Sequence, residues 1–269
     1  MGIKNKISLQ SLSNVPETML VPLFLKAKET KENGIISDHK SVDIVSAIDY
    51  DFSRLEKDWI TQISVAIRTY LFDRILISQI AEFNRSTVVN LGAGLDTRQE
   101  RFPELKWYQL DLPESIAIRK HFFNDDQARL IAKSILDFSW INEIEERENV
   151  LFIAEGLFMY FSETEVRSIF GQISRHFKHS FIAFNTLNKY LVKKKHPTID
   201  PDKAPFKWGI RSTGEIEDWG LGWKQFQTFY PLDYFKSRWK WVRWTQFIPS
   251  FKKGITIALM QTVPVSSHH

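Results

Sequence analysis

From residue 87 onward the chain alternates short apolar runs with longer amphipathic stretches, and this alternation constrains the fold more than any other feature. The apolar runs occupy residues 87–91, 107–110, 129–133, 150–154 and 180–185. Runs of this length, separated by helical periodicity, are typical of βαβ units, in which helices connect parallel strands and cover the sheet. The pattern predicts an α/β fold with a doubly wound, Rossmann-like sheet.

Helical patterns dominate the chain before residue 87. Residues 58–84 carry apolar side chains at three- and four-residue spacing, and residues 17–33 form a second helical pattern that we expect to be interrupted near Pro22. Residues 1–84 are therefore predicted to form an N-terminal helical cap. Inside the α/β region, Ser162 and Glu165 have the spacing of a capping box at the start of another helix.

The last third of the chain departs from the βαβ rhythm. Residues 186–225 are rich in proline and glycine, which favours an inserted lid over the sheet edge. Residues 239–247 and 254–262 regain strand character, and the stretch between them is too short for a helical crossover, so we expect an antiparallel hairpin. The predicted organisation is one domain over residues 1–269, with its α/β core at residues 85–185 and 226–265.

Composition narrows the functional classes. The net charge of +4 is only mildly basic, which argues against a dedicated nucleic-acid binder, and the chain has no cysteine and therefore no thiolate metal site. No apolar run reaches the roughly 20 residues that span a bilayer, and the first residues lack a secretory signal pattern. We therefore expect a cytoplasmic protein with neither a membrane nor a nucleic-acid partner; its oligomeric state is left open.

The motif of greatest chemical interest is the turn Gly92-Ala93-Gly94, which follows the first buried strand. Glycine allows unusual backbone angles there and lets the main chain approach a ligand closely. The dinucleotide-binding fingerprint requires a third glycine where this chain has Thr97. That departure favours a nucleoside ligand without a pyrophosphate, although an ordinary tight turn would have the same glycines.

Two acidic residues stand at the ends of later strands. Asp111 lies about 20 residues beyond the glycine turn, where a carboxylate can bind both ribose hydroxyls, and its alternative role is to cap the next helix. Glu155 leaves the fourth strand at the edge where open α/β sheets bind ligands, and its alternative role is a salt bridge. Met159 and Tyr160, which follow Glu155, are more often packing residues.

These motifs resemble the leucine carboxyl methyltransferase family, including its bacterial tetracenomycin-type polyketide O-methyltransferase branch. The similar segments are VVNLGAGLDTR, WYQLDLPE and LFIAEGLFMYF, together with Arg68-Thr69 followed by Asp73, and residues 204–210. The resemblance implies the seven-stranded sheet of a class I methyltransferase and S-adenosylmethionine as cofactor.

The resemblance also implies roles for particular residues. Arg68, with Lys26, would bind the carboxylate of the cofactor's methionine part, Asp111 would hold its ribose, and Glu155 would lie near its amine. Ser134 and Ile135 would border the adenine. The family includes an enzyme that methylates the C-terminal leucine of a protein phosphatase, and that enzyme has aspartate where this chain has Ser134. The full implied set is Lys26, Arg68, Gly92, Ala93, Gly94, Asp111, Leu112, Ser134, Ile135, Glu155 and Gly156. For Arg68 the alternative is a surface ion pair with Asp73.

The chemistry predicted from these features is O-methylation of a small, acidic molecule. A carboxylate acceptor is ionised at neutral pH and needs no general base, and the sequence shows no convincing catalytic dyad and no metal-ligand cluster. A phenol acceptor would benefit from a base, which His121, His176, His179 or His196 could supply, although surface positions suit each of them better. Three alternatives stay open: a nicotinamide-dependent oxidoreductase, an RNA or protein methyltransferase that uses the aromatic and basic residues of 236–244, and a binding protein without catalysis.

Overall fold

The computed structural model describes residues 7–8, 17–192 and 204–264. Helices α1 (Glu17–Lys31), α2 (His39–Ala47) and α3 (Trp59–Phe83) precede the main sheet, as predicted for the helical cap. Asp58 caps the start of α3 by accepting from the Thr61 N–H, and Asn84 ends that helix in the left-handed conformation. A short parallel pairing joins Ile7–Ser8 to Ile48–Asp49.

Seven strands in the described part of the chain form one sheet, in the order β3-β2-β1-β4-β5-β7-β6. The strands are β1 (Thr87–Leu91), β2 (Lys106–Asp111), β3 (Ala128–Ala132), β4 (Leu151–Ala154), β5 (Phe181–Leu187), β6 (Trp223–Phe229) and β7 (Ile255–Thr262). The first five are parallel, whereas β7 runs antiparallel to both β5 and β6. The predicted doubly wound α/β sheet is confirmed.

Helices cover both faces of this sheet. The later helices are α4 (Arg98–Arg101), α5 (Pro113–Arg119), α6 (Glu163–His176), α7 (Lys189–Val192), α8 (Gly214–Glu217) and α9 (Pro249–Lys252). Helix α6 packs on one face, and its capping box between Ser162 and Glu165 is present as predicted. Helix α3 packs on the opposite face. No helix within the described ranges is long and apolar enough to cross a bilayer.

The expected interruption of the first helix at Pro22 is wrong. Helix α1 continues through Pro22, which cannot donate a backbone hydrogen bond to the Thr18 carbonyl four residues earlier. Both residues line the same cavity at the sheet edge. The missing hydrogen bond therefore falls where the helix borders open space, and neighbouring turns keep the helix intact.

The predicted hairpin of residues 239–247 and 254–262 is also wrong. Only the second segment is a strand, and it pairs with β6 instead. The aromatic residues of β6, Trp223, Phe226 and Phe229, stand three apart, because an irregularity between Gln225 and Gln227 shifts the register, so β6 lacks the alternation typical of a strand. Residues Lys240–Phe247 instead form 3₁₀ turns, in which Trp241 is 66% exposed and Trp244 is 60% exposed. Aromatic residues favour strands when they pack on a sheet, but these two tryptophans do not pack on one, so their strand propensity does not determine the local structure.

The predicted insertion is shorter than residues 186–225. Strand β5 continues to Leu187, and β6 already begins at Trp223. Residues 193–203 lie outside the described residues. Of the remainder, Trp208 and Ile210 are buried in the main core. The backbone N–H groups of Lys207 and Trp208 both donate to the Met159 carbonyl. This described part is packed against the sheet, and a lid function for the whole segment stays a prediction.

Candidate active site

A cavity of about 240 Å³ lies at the carboxyl ends of β1, β2 and β4. Helix α1 and the turn after β4 supply its other walls. Its lining residues are Thr18, Met19, Pro22, Leu23, Lys26, Arg68, Asn90, Gly92, Ala93, Gly94, Leu95, Asp96, Asp111, Leu112, Ser115, Glu155, Gly156, Leu157 and Tyr160. The cavity therefore brings together most of the residues that the sequence motifs singled out, at the edge where open α/β sheets bind ligands.

The glycine turn forms the floor of the cavity. Gly92 and Gly94 both have positive φ angles, 67° and 46°. A Cβ atom on Gly92 would lie 2.7 Å from a methyl carbon of Leu157, so only glycine fits there. The Arg119 guanidinium fixes the turn by donating to the carbonyls of Gly94 and Asp96, at 3.0 and 2.8 Å. The turn thus presents backbone directly to a ligand, as the sequence predicts.

Asp111 ends β2 with both carboxylate oxygens engaged by backbone. Its Oδ2 accepts from the Gly94 N–H and its Oδ1 accepts from the Leu112 N–H, each at 2.7 Å. Burial raises the pKa of Asp111 above its ordinary value. Each oxygen has a further lone pair that can accept a hydrogen bond. The predicted helix-cap role is wrong, because Leu112 is the N-cap residue of α5 and no side chain caps that helix. The ligand role of Asp111 stays a prediction.

Glu155 lies between two arginines. Arg68 Nε donates to its Oε1 at 2.7 Å, and Arg98 Nη2 lies 2.6 Å from its Oε2. Burial alone would raise the pKa of Glu155, but Arg98 and Arg68 together lower it below its ordinary value. The surface pairing of Arg68 with Asp73 does not occur, because Asp73 binds Arg98 and Arg101 instead. No partner for the Arg68 terminal Nη groups is found among the described residues.

Asp96 and Arg98 were missed by the motif analysis, although both stand directly after the glycine turn. Arg98 Nη1 binds Asp96 Oδ2 at 2.7 Å, and Asn90 Nδ2 donates to the same oxygen at 3.1 Å. Burial opposes ionisation of Asp96, but Arg98 and Lys26 hold its pKa well below the usual range. The sequence signal that could have identified Asp96 is a carboxylate in the turn between β1 and α4.

Lys26 reaches the cavity from α1 and is 6% exposed. Its Nζ lies 3.5 Å from Asp38 Oδ2, which also accepts from the Thr97 hydroxyl at 2.6 Å. Burial would raise the pKa of Asp38, but Lys26 and Arg101 lower it to about 2. Lys26 is therefore oriented by a buried ion pair at the edge of the site.

The remaining predicted cofactor-binding residues divide into two groups. Leu112 lines the cavity, as does Gly156, whose N–H donates to Asn185 Oδ1 at 2.6 Å. Ser134 and Ile135 follow β3 and do not line it: the Ser134 hydroxyl accepts from the Leu136 N–H, and Ile135 is buried in the main core. A ligand that extends past Leu112 would be needed to contact them.

One wall of the cavity has a different character. Met19 and Pro22 of α1 line it together with Leu157 and Tyr160, which follow β4. Burial raises the pKa of the Tyr160 phenol to about 12, with Arg68 opposing the shift, so the hydroxyl stays a donor at neutral pH. Sequence reasoning treated Tyr160 as a packing residue because a tyrosine after a turn carries no chemical signature of its own.

The donors and acceptors of this cavity fit an adenosyl amino acid. The glycine turn offers close backbone approach, Asp111 offers two acceptor oxygens for vicinal hydroxyls, and Arg68 offers a two-pronged donor for a carboxylate. No cluster of metal-binding side chains occurs within the described ranges.

Comparison with known proteins points to the same chemistry. A sequence model described as leucine carboxyl methyltransferase matches residues 21–174. The tetracenomycin polyketide synthesis O-methyltransferase TcmP of Streptomyces glaucescens is 25% identical over 216 residues, covering 78% of this chain and 77% of that protein. The S-adenosyl-L-methionine-dependent methyltransferase dpfgK of Gibberella zeae is 29% identical over 252 residues, covering 82% of this chain and 84% of that protein.

Solved structures share the fold at low sequence identity. A DUF574 family protein from Streptomyces avermitilis superposes with a TM-score of 0.60 at 11% identity, covering 94% of this chain and 99% of that one. Magnesium protoporphyrin IX methyltransferase from Synechocystis, with bound S-adenosylhomocysteine, gives a TM-score of 0.51 at 10% identity and covers 92% and 100%.

Proposed function

The chain belongs to the leucine carboxyl methyltransferase family, and on that premise we propose that it methylates an oxygen of a small acidic molecule, most simply a carboxylate. It is an S-adenosylmethionine-dependent methyltransferase, and the nicotinamide-dependent alternative is set aside. The acceptor proposal rests on one observation: the described lining of the cavity offers the phenol O–H of Tyr160 but no imidazole, and its carboxylates Asp96 and Glu155 are bound to Arg98.

We assign cofactor contacts to the residues of the cavity and its margin. S-adenosylmethionine, when bound, supplies a methyl group on a positively charged sulfur as the electrophile. Asp111 would accept from both ribose hydroxyls, the Arg68 Nη groups would bind the methionine carboxylate, and Glu155 would accept from the amine. Lys26 would add positive charge beside that carboxylate. The remaining assigned contacts are Gly92, Ala93, Gly94, Leu112 and Gly156 around the backbone turn, and Ser134 and Ile135 beyond it on the adenine side.

The carboxylates of this cavity favour an acceptor that needs no general base. Asp96 and Glu155 are ionised but bound to Arg98, so neither is poised to take a proton from a phenol. A carboxylate is already ionised at neutral pH and needs no such base. The protein's contribution is then to position the acceptor oxygen in line with the methyl group and to exclude water.

Tyr160 is the residue that we assign to this positioning. Tyr160 lines the cavity, and a phenol with a pKa of about 12 donates a hydrogen bond across the physiological range. Donation to one carboxylate oxygen would leave the other oxygen to attack the methyl group. Met19, Pro22 and Leu157 would pack against the apolar part of the acceptor.

The test is an acceptor screen with methyl-labelled cofactor, in which each carboxylic acid is paired with its amide and its phenolic analogue. We expect label on the acids, as an ester that alkali hydrolyses to labelled methanol, whereas a methyl ether would resist alkali. Tyr160→Phe should raise the KM for the acceptor by roughly tenfold, since one hydrogen bond to a charged group is lost, without changing cofactor affinity. Each reaction is repeated with a chelator.

Two results would contradict this proposal. Transfer confined to amines would exclude an oxygen acceptor. Activity that the chelator abolishes and magnesium restores would replace the metal-free reaction by a metal-assisted one. Leu112→Ala, on the cofactor side of the cavity, serves as the matched control, because it should change cofactor affinity and leave acceptor KM unaltered.

A further inference from the structure

A protruding apolar surface lies outside the cavity, and the proposed reaction does not use it. We define the aromatic-basic surface as Arg243 and five apolar side chains of residues 241–251, in the 3₁₀ turns, the short helix α9 and the residue between them. The apolar side chains are Trp241, Trp244, Phe247, Ile248 and Phe251, with exposed fractions of 66, 60, 72, 50 and 47%. Trp244 and Phe247 stack with ring centroids 6.3 Å apart, and five large exposed apolar side chains within residues 241–251 indicate an interaction site.

The same segment carries an excess of positive charge. Residues 234–264 contain six lysines and arginines and no aspartate or glutamate, and two of the six, Arg238 and Lys252, pair with Glu29 and Asp233 outside the segment. Arg243 lies over the ring of Trp244, 4.8 Å from its centroid, so positive charge sits directly beside the exposed apolar groups. A partner for this surface must therefore offer both negative charge and an apolar environment.

The aromatic-basic surface is firmly attached to the body of the protein. Trp239, immediately before the 3₁₀ turns, is 4% exposed, and its indole N–H donates to the Tyr234 carbonyl at 3.1 Å. Arg238 binds Glu29 of α1 at 3.0 Å. The exposed side chains therefore follow a segment that is fixed to the rest of the protein by Arg238 and Trp239.

We propose that this surface docks on an anionic lipid bilayer. Tryptophan is favoured at the boundary between headgroups and acyl chains, and lysine and arginine beside it are attracted to anionic headgroups. The apolar side chains would enter the outer part of the bilayer, and the protein would lie on the membrane. This proposal stands independently of the proposed acceptor, and it replaces the expectation that a membrane is not a partner.

Nucleic acid fits these observations less well. Tracking a phosphate backbone requires basic groups that reach outward. Here Lys240 lies over the Trp59 ring, Lys252 pairs with Asp233 and Arg238 pairs with Glu29, which leaves fewer cations to track a phosphate backbone. The exposed apolar side chains, up to 72% exposed at Phe247, need an apolar environment that a phosphate backbone does not offer.

A second copy of the chain fits poorly as well. A twofold contact would bring the six basic residues of one copy against the same residues of the other, with no acidic residue in the segment to pair with them.

The test is cosedimentation of the whole protein with phosphatidylcholine vesicles, with and without phosphatidylserine. We expect binding to the anionic vesicles, accompanied by a blue shift of tryptophan emission, and about tenfold or greater weakening in Trp244→Ala/Phe247→Ala. Ile77→Ala is the matched control, because Ile77 is an apolar residue on α3 that is 55% exposed, and it should bind like the unaltered protein. Thermal unfolding and cofactor binding confirm that each variant is folded.

Three results would overturn the proposal. The first is absence of binding to anionic vesicles. The second is equal binding by the double variant and the unaltered protein. The third is loss of single-stranded RNA binding or of self-association in the double variant, without any vesicle binding, which would assign the surface to that partner instead.

Discussion

Asp111→Ala should weaken cofactor binding by removing two acceptor oxygens at once. Both oxygens already accept a backbone N–H at 2.7 Å, which holds the carboxylate in a single orientation toward the cavity. Two ribose hydroxyls would donate to the remaining lone pairs. Because the site is partly open, water can hydrate those hydroxyls in the variant, and the net loss should be about 1–3 kcal/mol. This corresponds to a roughly 5- to 150-fold rise in Kd.

The assay is calorimetric titration with S-adenosylhomocysteine. Burial raises the pKa of Asp111, so acid should protonate it at a higher pH than an ordinary aspartate and weaken binding by the unaltered protein. In Asp111→Ala, cofactor affinity should not show the weakening in acid that protonation of Asp111 causes.

Asp137→Ala is the matched control for this experiment. Asp137 is also a carboxylate that accepts a backbone N–H, from Ser139 at 3.1 Å, but it does not line the cavity. Loss of such a carboxylate should lower stability in both variants by about 1 kcal/mol. Cofactor affinity should fall only in Asp111→Ala. Equal affinity in Asp111→Ala and the unaltered protein would reduce Asp111 to a residue that only orders the backbone, and would refute the reasoning.

Two further predictions follow from the charges behind the cavity. Asp38→Asn should lower the free energy of unfolding by about 2 kcal/mol at pH 7, since the pKa of Asp38 is lowered from 3.8 to about 2. An aspartate with a lowered pKa stabilises the fold above its unfolded pKa, so the deficit should shrink as pH falls from about 4 to about 2 in urea titrations; a pH-independent deficit would exclude this origin. Arg119→Lys should raise the Kd for S-adenosylhomocysteine about tenfold, because one ammonium cannot hold both carbonyls of the glycine turn, while acceptor KM stays unchanged. A change in acceptor KM alone would contradict this.

Local patterns in the sequence predicted the parts of the structure that depend on neighbouring residues. The capping box of Ser162 and Glu165 lies within one helical turn, and the glycine turn lies within one loop, so each carries its own signal. Asp111 and Glu155 could be placed at the sheet edge because each ends an apolar run.

Features that depend on distant residues could not be predicted in this way. Arg68 and Glu155 are separated by 87 positions, so their ion pair becomes visible only in the folded chain. Strand β6 was missed because its three aromatic residues do not alternate with polar ones across the register shift between Gln225 and Gln227. The tryptophans of the 3₁₀ turns led to the prediction of a strand that the sheet does not contain, because aromatic residues favour strands.

Cocrystals with S-adenosylhomocysteine test the central assignment most directly. The predicted density places both ribose hydroxyls within hydrogen-bond distance of Asp111, the amino-acid carboxylate on Arg68, and the sulfur facing the wall formed by Tyr160. Density at any other edge of the sheet, or ribose hydroxyls bound by groups other than Asp111, would contradict the account.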